Sequence, residues 1–377
     1  MEKNIPIIFT VNPGATSTKC ALYEVVKENL KEVDSDTIDH PSGILSKFKN
    51  ISAQLDYREE LVRNFIKTYL PIKGKIVACA GRGGMLTPVP SGVIKVNEEL
   101  LDFSLNRPVY QHASNLGAPL AYRIAQTYGV EAFIVDPVSV DELSPLARIS
   151  GSPDFERFSF VHALNIRATV RKLSERLNKN FEEIKCVVAH LGAGFSIAAF
   201  VNGKIVDNDN RMESAPFTPE RAGGIPPIPL VEACFSGKYS KEEILRKLYG
   251  EGGIYAYLKT KDMKEVERRV REGEEYASLI YEAMIYQICK EIGAMASVMD
   301  FNLDGIILTG GLAKDQLLVE KITRKVQRIG KIYLYPGSNE NEALALGVLR
   351  ILLGKEKFME WPVKIYNVKK GRREKID

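Results

Sequence analysis

Two short stretches of the chain combine glycine with residues that handle phosphate. Val187 to Phe200 reads VVAHLGAGFSIAAF, with Gly192-Ala193-Gly194 set in an otherwise apolar run. Backbone amides exposed at such a turn can meet phosphate. A dinucleotide fingerprint is excluded: Ile197 stands where the third glycine belongs, and the following residues read as a strand. That fingerprint needs a helix there, because the helix N-terminus holds the pyrophosphate. The second stretch, VNPGATSTK, leads from a strand into Asn12, Gly14, Ser17, Thr18 and Lys19. Hydroxyls, amides and an ammonium on a hairpin tip suit a polyphosphate or a transferring phosphoryl group, although an ordinary polar turn has the same composition. No GK[ST] is present, so this is not a P-loop.

Other residues suit an anionic substrate. ACAGRGGM places Arg82 among Gly81, Gly83 and Gly84, and Arg221 is followed by AGGIPP. An arginine without bulky neighbours is open to an anion, and its fork matches carboxylate or phosphate. Either arginine alone reads equally well as a surface salt bridge; two in one chain point to an anion. FIVDP ends an apolar run on Asp136, and a carboxylate at a strand's C-terminal end faces a cleft in α/β folds. In IILTGGLAKD, Thr309-Gly310-Gly311 lets backbone approach a flat or phosphorylated ligand. Glu342 opens the late helical run, where it could equally serve the helix dipole. His112, His162 and His190 are each open to an active-site role or to that of a satisfied core histidine.

The elements that must hold these residues alternate in type. Apolar, β-branched runs are expected as strands at Ile5–Val11, Cys20–Val26, Ile76–Ala80, Ala132–Val135, Val187–His190, Ser196–Val201, Ile306–Thr309 and Ile332–Tyr335. Amphipathic stretches predict helices at Tyr57–Tyr69, at Leu116–Tyr128 before Gly129, after the Ser240/Glu243 capping box, and at Glu275–Met299. The pattern is that of an α/β protein. A weak repeat runs through it, since IPIIFTVNPGATSTKCALYEV and IKCVVAHLGAGFSIAAFVNGKIV both read strand, polar glycine turn, strand. Duplicated halves flanking a cleft, or a chance likeness of two hairpins, would each give it. RAGGIPPIP, Arg221 to Pro229, is the most loop-like segment, and SGSPD near Ser150 the expected junction.

Composition narrows the class. Lys+Arg 52 against Asp+Glu 48 leaves a net charge of +4, too little for a nucleic-acid surface, and KKGRREKID at the end reads as a solvated tail. Five scattered cysteines without metal-ligand spacing imply reduced thiols and a cytoplasmic location. No apolar run is long enough for a membrane span.

Taken in order along nearly the whole chain, these pieces resemble the acetate and butyrate kinase family, within the superfamily of actin, sugar kinases and heat-shock ATPases. Asn12, Gly14, Ser17 and Lys19 match its Asn-x-Gly-x-x-Ser-x-Lys pattern, and His190, Leu191, Gly192, Gly194 and Ser196 its His-Leu-Gly-x-Gly-x-Ser loop. Thr309-Gly310-Gly311 looks like the adenosine turn, Glu342 like the magnesium-linked glutamate, Asp136 like the catalytic aspartate, His162 like the transition-state histidine and His112 like a further active-site histidine. Acetate kinases carry arginine three residues before His-Gly-Gly; here Cys79 holds that place and Arg82 replaces the histidine. GRGG with PVPSG, and HALN at His162–Asn165, look like the butyrate branch. Ala193 replaces an asparagine, and Asp262-Met263-Lys264 an Asp-Phe-Arg.

The resemblance implies duplicated ribonuclease H-like (actin-like ATPase) domains with mixed sheets, helical flanks and an interdomain cleft. The expected limits are 1–150 and 151–360, with the adenosine site in the second and residues from about 360 to 377 packed on the first. It implies reversible phosphoryl transfer from ATP to butyrate and similar short-chain carboxylates, giving an acyl phosphate and ADP, with Mg2+, in a homodimer or higher homo-oligomer. Acetate or propionate kinase activity, or an ATP-binding module without kinase activity, are the alternatives. In that scheme Arg82, Asp136, His162 and Arg221 are catalytic, with Arg82, Arg221 and His112 on the substrate. Asn12, Gly14, Ser17, Lys19, His190, Gly192 and Gly194 meet phosphates. Asp262, Gly310 and Gly311 border the adenosine, and Asp136 and Glu342 position the metal.

Overall fold

Each apolar run named above becomes a strand: β1 (Ile5–Pro13), β2 (Ser17–Val26), β4 (Gly74–Arg82), β6 (Glu131–Val135), β7 (Cys186–Leu191), β8 (Phe195–Val201), β10 (Gly305–Gly310) and β11 (Ile332–Pro336). Four more are polar or very short, namely β3 (Asn29–Asp39), β5 (Val93–Lys95), β9 (Lys204–Asn208) and β12 (Met359–Glu360). Polar β3 lies at a sheet edge and is mostly exposed, so no buried face imposes the apolar alternation that would have announced it. The structure, a computed structural model, describes residues 4–209, 214–363, 366–369 and 372–375, the last two segments by backbone alone.

The chain divides into two compact units, residues 1–141 with 339–377, and residues 142–338. The first holds a sheet ordered β12-β5-β6-β4-β1-β2-β3, the second a sheet ordered β11-β10-β7-β8-β9. In the first, β1 runs antiparallel to β2, β2 to β3, and parallel to β4, which is parallel to β6. In the second, β7 runs antiparallel to β8, β8 to β9, and parallel to β10, which is parallel to β11. Matching order and matching sense make this the ribonuclease H-like sheet, present twice. The weak repeat in the sequence marks the hairpins that begin each copy.

Helices cover the sheets because each has one apolar face to bury. Leu55–Tyr69 and Gly117–Tyr128 form in the first unit, the latter ending on left-handed Gly129. In the second, both arms of the Ser240/Glu243 capping box are made. The helix Glu275–Ser297 turns Ala277, Ile280, Tyr281, Met284, Ile285 and Ile288 into the core that includes Val187, Ala189 and Ile197.

Three expectations change. The Pro-rich segment is not all loop, since Pro227–Phe235 is helical; proline is tolerated in a first helical turn, where an N–H would lack an intrahelical partner. The division falls between Asp141 and Glu142 rather than near Ser150, and the return begins at Asn339, because the helix Glu340–Leu352 packs on β1, β4 and β2. Of the expected tail, Lys369 to Asp377, Lys369 closes the strand Tyr366–Lys369 and Arg372–Lys375 pairs antiparallel with that strand; Lys370, Gly371, Ile376 and Asp377 lie outside the described residues. Among the described residues, no helix is long and apolar enough to cross a membrane.

Candidate active site

In the first unit, the parallel strands β1, β4 and β6 deliver three polar residues to one sheet edge. Asn12, Arg82 and Asp136 stand at or just past their carboxyl ends, with Val11 paired to Gly81 and Arg82 to Val135. This is the edge where open α/β sheets bind ligands. Arg82 Nη1 meets Glu340 Oε2 at 2.6 Å and Asn12 Oδ1 at 3.3 Å, while Asn12 Nδ2 donates to the same Glu340 oxygen at 2.6 Å. Sequence reasoning missed Glu340 and named Glu342, two residues further along the helix; Glu342 Oε2 accepts from Asn339 Nδ2 at 3.3 Å. Two acids in one first helical turn look alike in sequence, and only the packing of the helix on the sheet selects which one meets Arg82.

Asp136 has a positive φ of 40°, and its carboxylate accepts the Gly92 N–H at 2.7 Å. His112 caps a short helical turn, where its Nδ1 accepts the Ser114 N–H at 3.1 Å. That bond puts the proton of the neutral ring on Nε2. Gly14 lies in the β1–β2 turn and Ser17 and Lys19 at the start of β2, with Lys19 exposed and paired across the ladder with Asn12.

The second unit gathers the remaining residues. His162, just before the helix Ala163–Leu177, and His190, on β7, stack with ring centroids 4.0 Å apart and planes 14° from parallel. His162 Nδ1 is 2.8 Å from Ser196 Oγ, which also accepts the His162 N–H at 3.3 Å. His190 Nδ1 is 2.8 Å from Asn165 Oδ1; an amide oxygen only accepts, so the nitrogen carries the proton. The Thr309 hydroxyl lies 3.2 Å from the same oxygen.

Arg221 comes onto the glycine turn itself. A Cβ built on Gly194 would lie 2.7 Å from Arg221 Nη1, so a side chain there would push the guanidinium off the turn. Burial lowers the Arg221 pKa, which remains that of a cation at neutral pH. Thr218, unnoticed in the sequence, donates its hydroxyl to the Ala193 carbonyl at 2.8 Å and accepts the Arg221 N–H at 3.1 Å. It thereby joins the arginine's segment to the turn.

Beside this turn opens a cavity of about 420 Å³, lined by Gly192, Ala193, Pro219, Glu220, Lys261, Asp262, Met263, Lys264, Glu267, Gly311, Leu312, Lys314 and Asp315. Asp262 caps the helix Met263–Arg271 through the Lys264 N–H at 2.9 Å. Gly310, at φ 89°, lies so close to β7 that a Cβ would be 2.3 Å from the Leu191 carbonyl oxygen. The structure therefore brings Gly192, Asp262 and Gly311 to one cavity, Gly194 and Arg221 into contact, and His162 and His190 into a stack. A cavity of this size ending at a glycine turn can hold a ring system with a phosphate tail.

Solved structures share this fold. An acetate kinase of Porphyromonas gingivalis matches 92% of this chain and 100% of its own at a TM-score of 0.73 and 19% identity. A propionate kinase of Francisella tularensis subsp. tularensis matches 91% and 99% at a TM-score of 0.68 and 19% identity. A profile of the Acetokinase family matches residues 157–345. Butyrate kinase 2 of Clostridium acetobutylicum is 43% identical over 350 residues, covering 93% of this chain and 97% of that protein. This chain belongs to the acetokinase family.

Proposed function

We propose that the chain is a carboxylate kinase that moves the terminal phosphoryl group of ATP reversibly to butyrate and similar short-chain acids. The observation that carries this reading is Arg221, held on Gly194 in the turn that walls the 420 Å³ cavity. The likeness to a butyrate kinase over almost the whole of both chains supports the acyl choice.

A carboxylic acid with a reference pKa of about 4 is already ionised near neutrality, so its oxygen needs no general base. That oxygen forms a bond to the γ-phosphorus while the bond from phosphorus to the ADP oxygen breaks; no proton moves. The obstacle is repulsion between two anions, and catalysis is positioning plus positive charge. Arg221 and Arg82 answer that charge on the carboxylate and the transferring group, and His112 lies on the carboxylate side. His162, oriented by Ser196, donates to the phosphoryl oxygens. Asn12, Gly14, Ser17 and Lys19 meet the phosphates from one hairpin, and His190, Gly192 and Gly194 from the other. Asp262, Gly310 and Gly311 border the adenosine.

Magnesium fits the donors present. Among the described residues no group of three or more His, Cys, Asp or Glu converges as a protein cage. The buried carboxylate of Asp136 and the first-turn carboxylate of Glu342 suit an ion that keeps several waters and binds through one or two carboxylates and substrate phosphates. When bound, it would neutralise phosphate charge. We take the protein to act in the cytoplasm as a homodimer or larger homo-oligomer, with exposed Tyr276, Leu279 and Tyr286 of the long helix as contact residues.

A carboxylate panel with ATP and magnesium, read by trapping acyl phosphate as hydroxamate, tests the reading. Highest activity is expected on butyrate or isobutyrate. An apolar pocket gains only about 1–3 kcal/mol per methylene, so neighbouring acids will also react. Higher activity on acetate or propionate would reassign the substrate, and ATP turnover indifferent to carboxylate would remove kinase function.

A further inference from the structure

Behind the β1–β2 turn lies a buried cation that the mechanism above does not use. Arg58, on the helix Leu55–Tyr69, has no exposed surface. Its Nη1 donates to the carbonyls of Gly14 at 2.9 Å and Ser17 at 3.3 Å and to Thr18 Oγ1 at 3.0 Å. Its Nη2 reaches the Ala15 carbonyl at 3.4 Å, and Nη2 and Nε both reach Gln54 Oε1, at 2.9 and 3.1 Å. The remaining carbonyl of the turn, that of Thr16, accepts the His40 N–H at 2.8 Å. Every carbonyl from Gly14 to Ser17 is thereby engaged from the protein side. What the turn offers a ligand is its donors, including the Ser17 hydroxyl and the Lys19 ammonium.

All of these Arg58 bonds end on neutral oxygens. Burial draws its pKa down to about 10, which leaves it charged near neutrality. His40 brings no second charge: its Nε2 is 2.8 Å from Thr18 Oγ1, and burial, then the Arg58 charge, lower its pKa to about 4 despite Asp39. Tyr57, the other titratable group acting on Arg58, tends to raise its pKa. A desolvated guanidinium bonded only to neutral groups is a costly way to hold a turn. A polyphosphate at the tip supplies the missing anion.

We propose that Arg58 is the positioning residue of the β1–β2 hairpin, turning its carbonyls away from the ligand and directing an uncompensated positive charge at the phosphates of ATP. This rests on the nucleotide reading of the hairpin given above. Gln54→Glu provides the sharpest test. It keeps the oxygen that accepts two guanidinium N–H groups but sets a carboxylate against the charge. ATP affinity, measured by calorimetry on the full chain, should fall on the order of fivefold, with adenosine affinity unchanged and the melting temperature equal or higher. Arg58→Ala should raise the KM for ATP on the order of tenfold, with partial rescue by millimolar guanidinium and no change in the KM for carboxylate.

Wild-type ATP affinity in Gln54→Glu, or an equal loss for adenosine, would overturn the inference even if Arg58→Ala fails to fold. If the wild-type chain forms acyl phosphate and Gln54→Glu still binds ATP normally, the inference alone falls. If the wild type binds ATP but phosphorylates no carboxylate, only the kinase reading falls, and absence of ATP binding removes both.

Discussion

The β1–β2 and β7–β8 hairpins begin the same strand order in their two units, yet they are held in opposite ways. The first has its cation behind it, with Arg58 bonded to the carbonyls of Gly14, Ala15 and Ser17. The second has its cation on it, with the Arg221 guanidinium against the Cα of Gly194 and the Thr218 hydroxyl bracing the Ala193 carbonyl. One hairpin meets its arginine through backbone carbonyls, while the other meets it at a glycine. A duplicated framework thus constrains where a glycine hairpin stands but leaves open on which side an arginine meets it.

The largest effect should come from removing the contacting cation. Arg221→Ala is expected to lower turnover on the order of 10³-fold in a folded protein, the scale for losing a donor to transition-state charge. Near-normal turnover would break the contrast at its strongest point. Glycine substitutions come next. Gly194→Ala should cost on the order of 50-fold in kcat/KM, because its Cβ would collide with Arg221 at 2.7 Å. Gly14→Ala, whose Cβ would meet the Ser17 carbonyl at an ordinary 3.4 Å, should cost less than about threefold. Equal losses would mean that the hairpins are used alike.

Acid should then single out the first hairpin. His40 has a folded pKa of about 4 against an ordinary 6.5, a depressed value. Its contribution to stability is therefore present above pH 6.5 and lost as pH falls through about 4. That loss is about 3 kcal/mol, and urea unfolding at a series of pH values should show it shrinking in His40→Gln. Smallest is Thr218→Val, which removes the bond to Ala193 and the cap on Arg221 and should cost about 1 kcal/mol of stability in the same assay. A severalfold rise in the KM for ATP should accompany it; an unchanged KM would make Thr218 a purely structural brace.

Much of this was legible without coordinates. The eight apolar runs became strands because a buried strand needs continuous or alternating apolar residues, and β3 escaped because an exposed edge strand does not. Gly194 and Gly310 were visible as glycines, though the neighbours that exclude a side chain, Arg221 and Leu191, were not. Glu340 hid beside Glu342. Asn165, three residues after His162 in HALN, was visible as part of a motif, but its bond to His190 depends on β7 lying beside the helix.

Residue types and local order by themselves determined the alternation of strands and helices and the two glycine hairpins. Turn chemistry and apolar periodicity act over a few residues, so they can be read in one dimension. Tertiary structure alone decided that Glu340 meets Asn12 across 328 positions, that the chain returns at Asn339 to its first unit, and that Arg58 stands behind one hairpin while Arg221 lies on the other. Such contacts arise when packed helices and sheets bring remote side chains to hydrogen-bonding distance, and no local pattern records which of several similar residues will arrive.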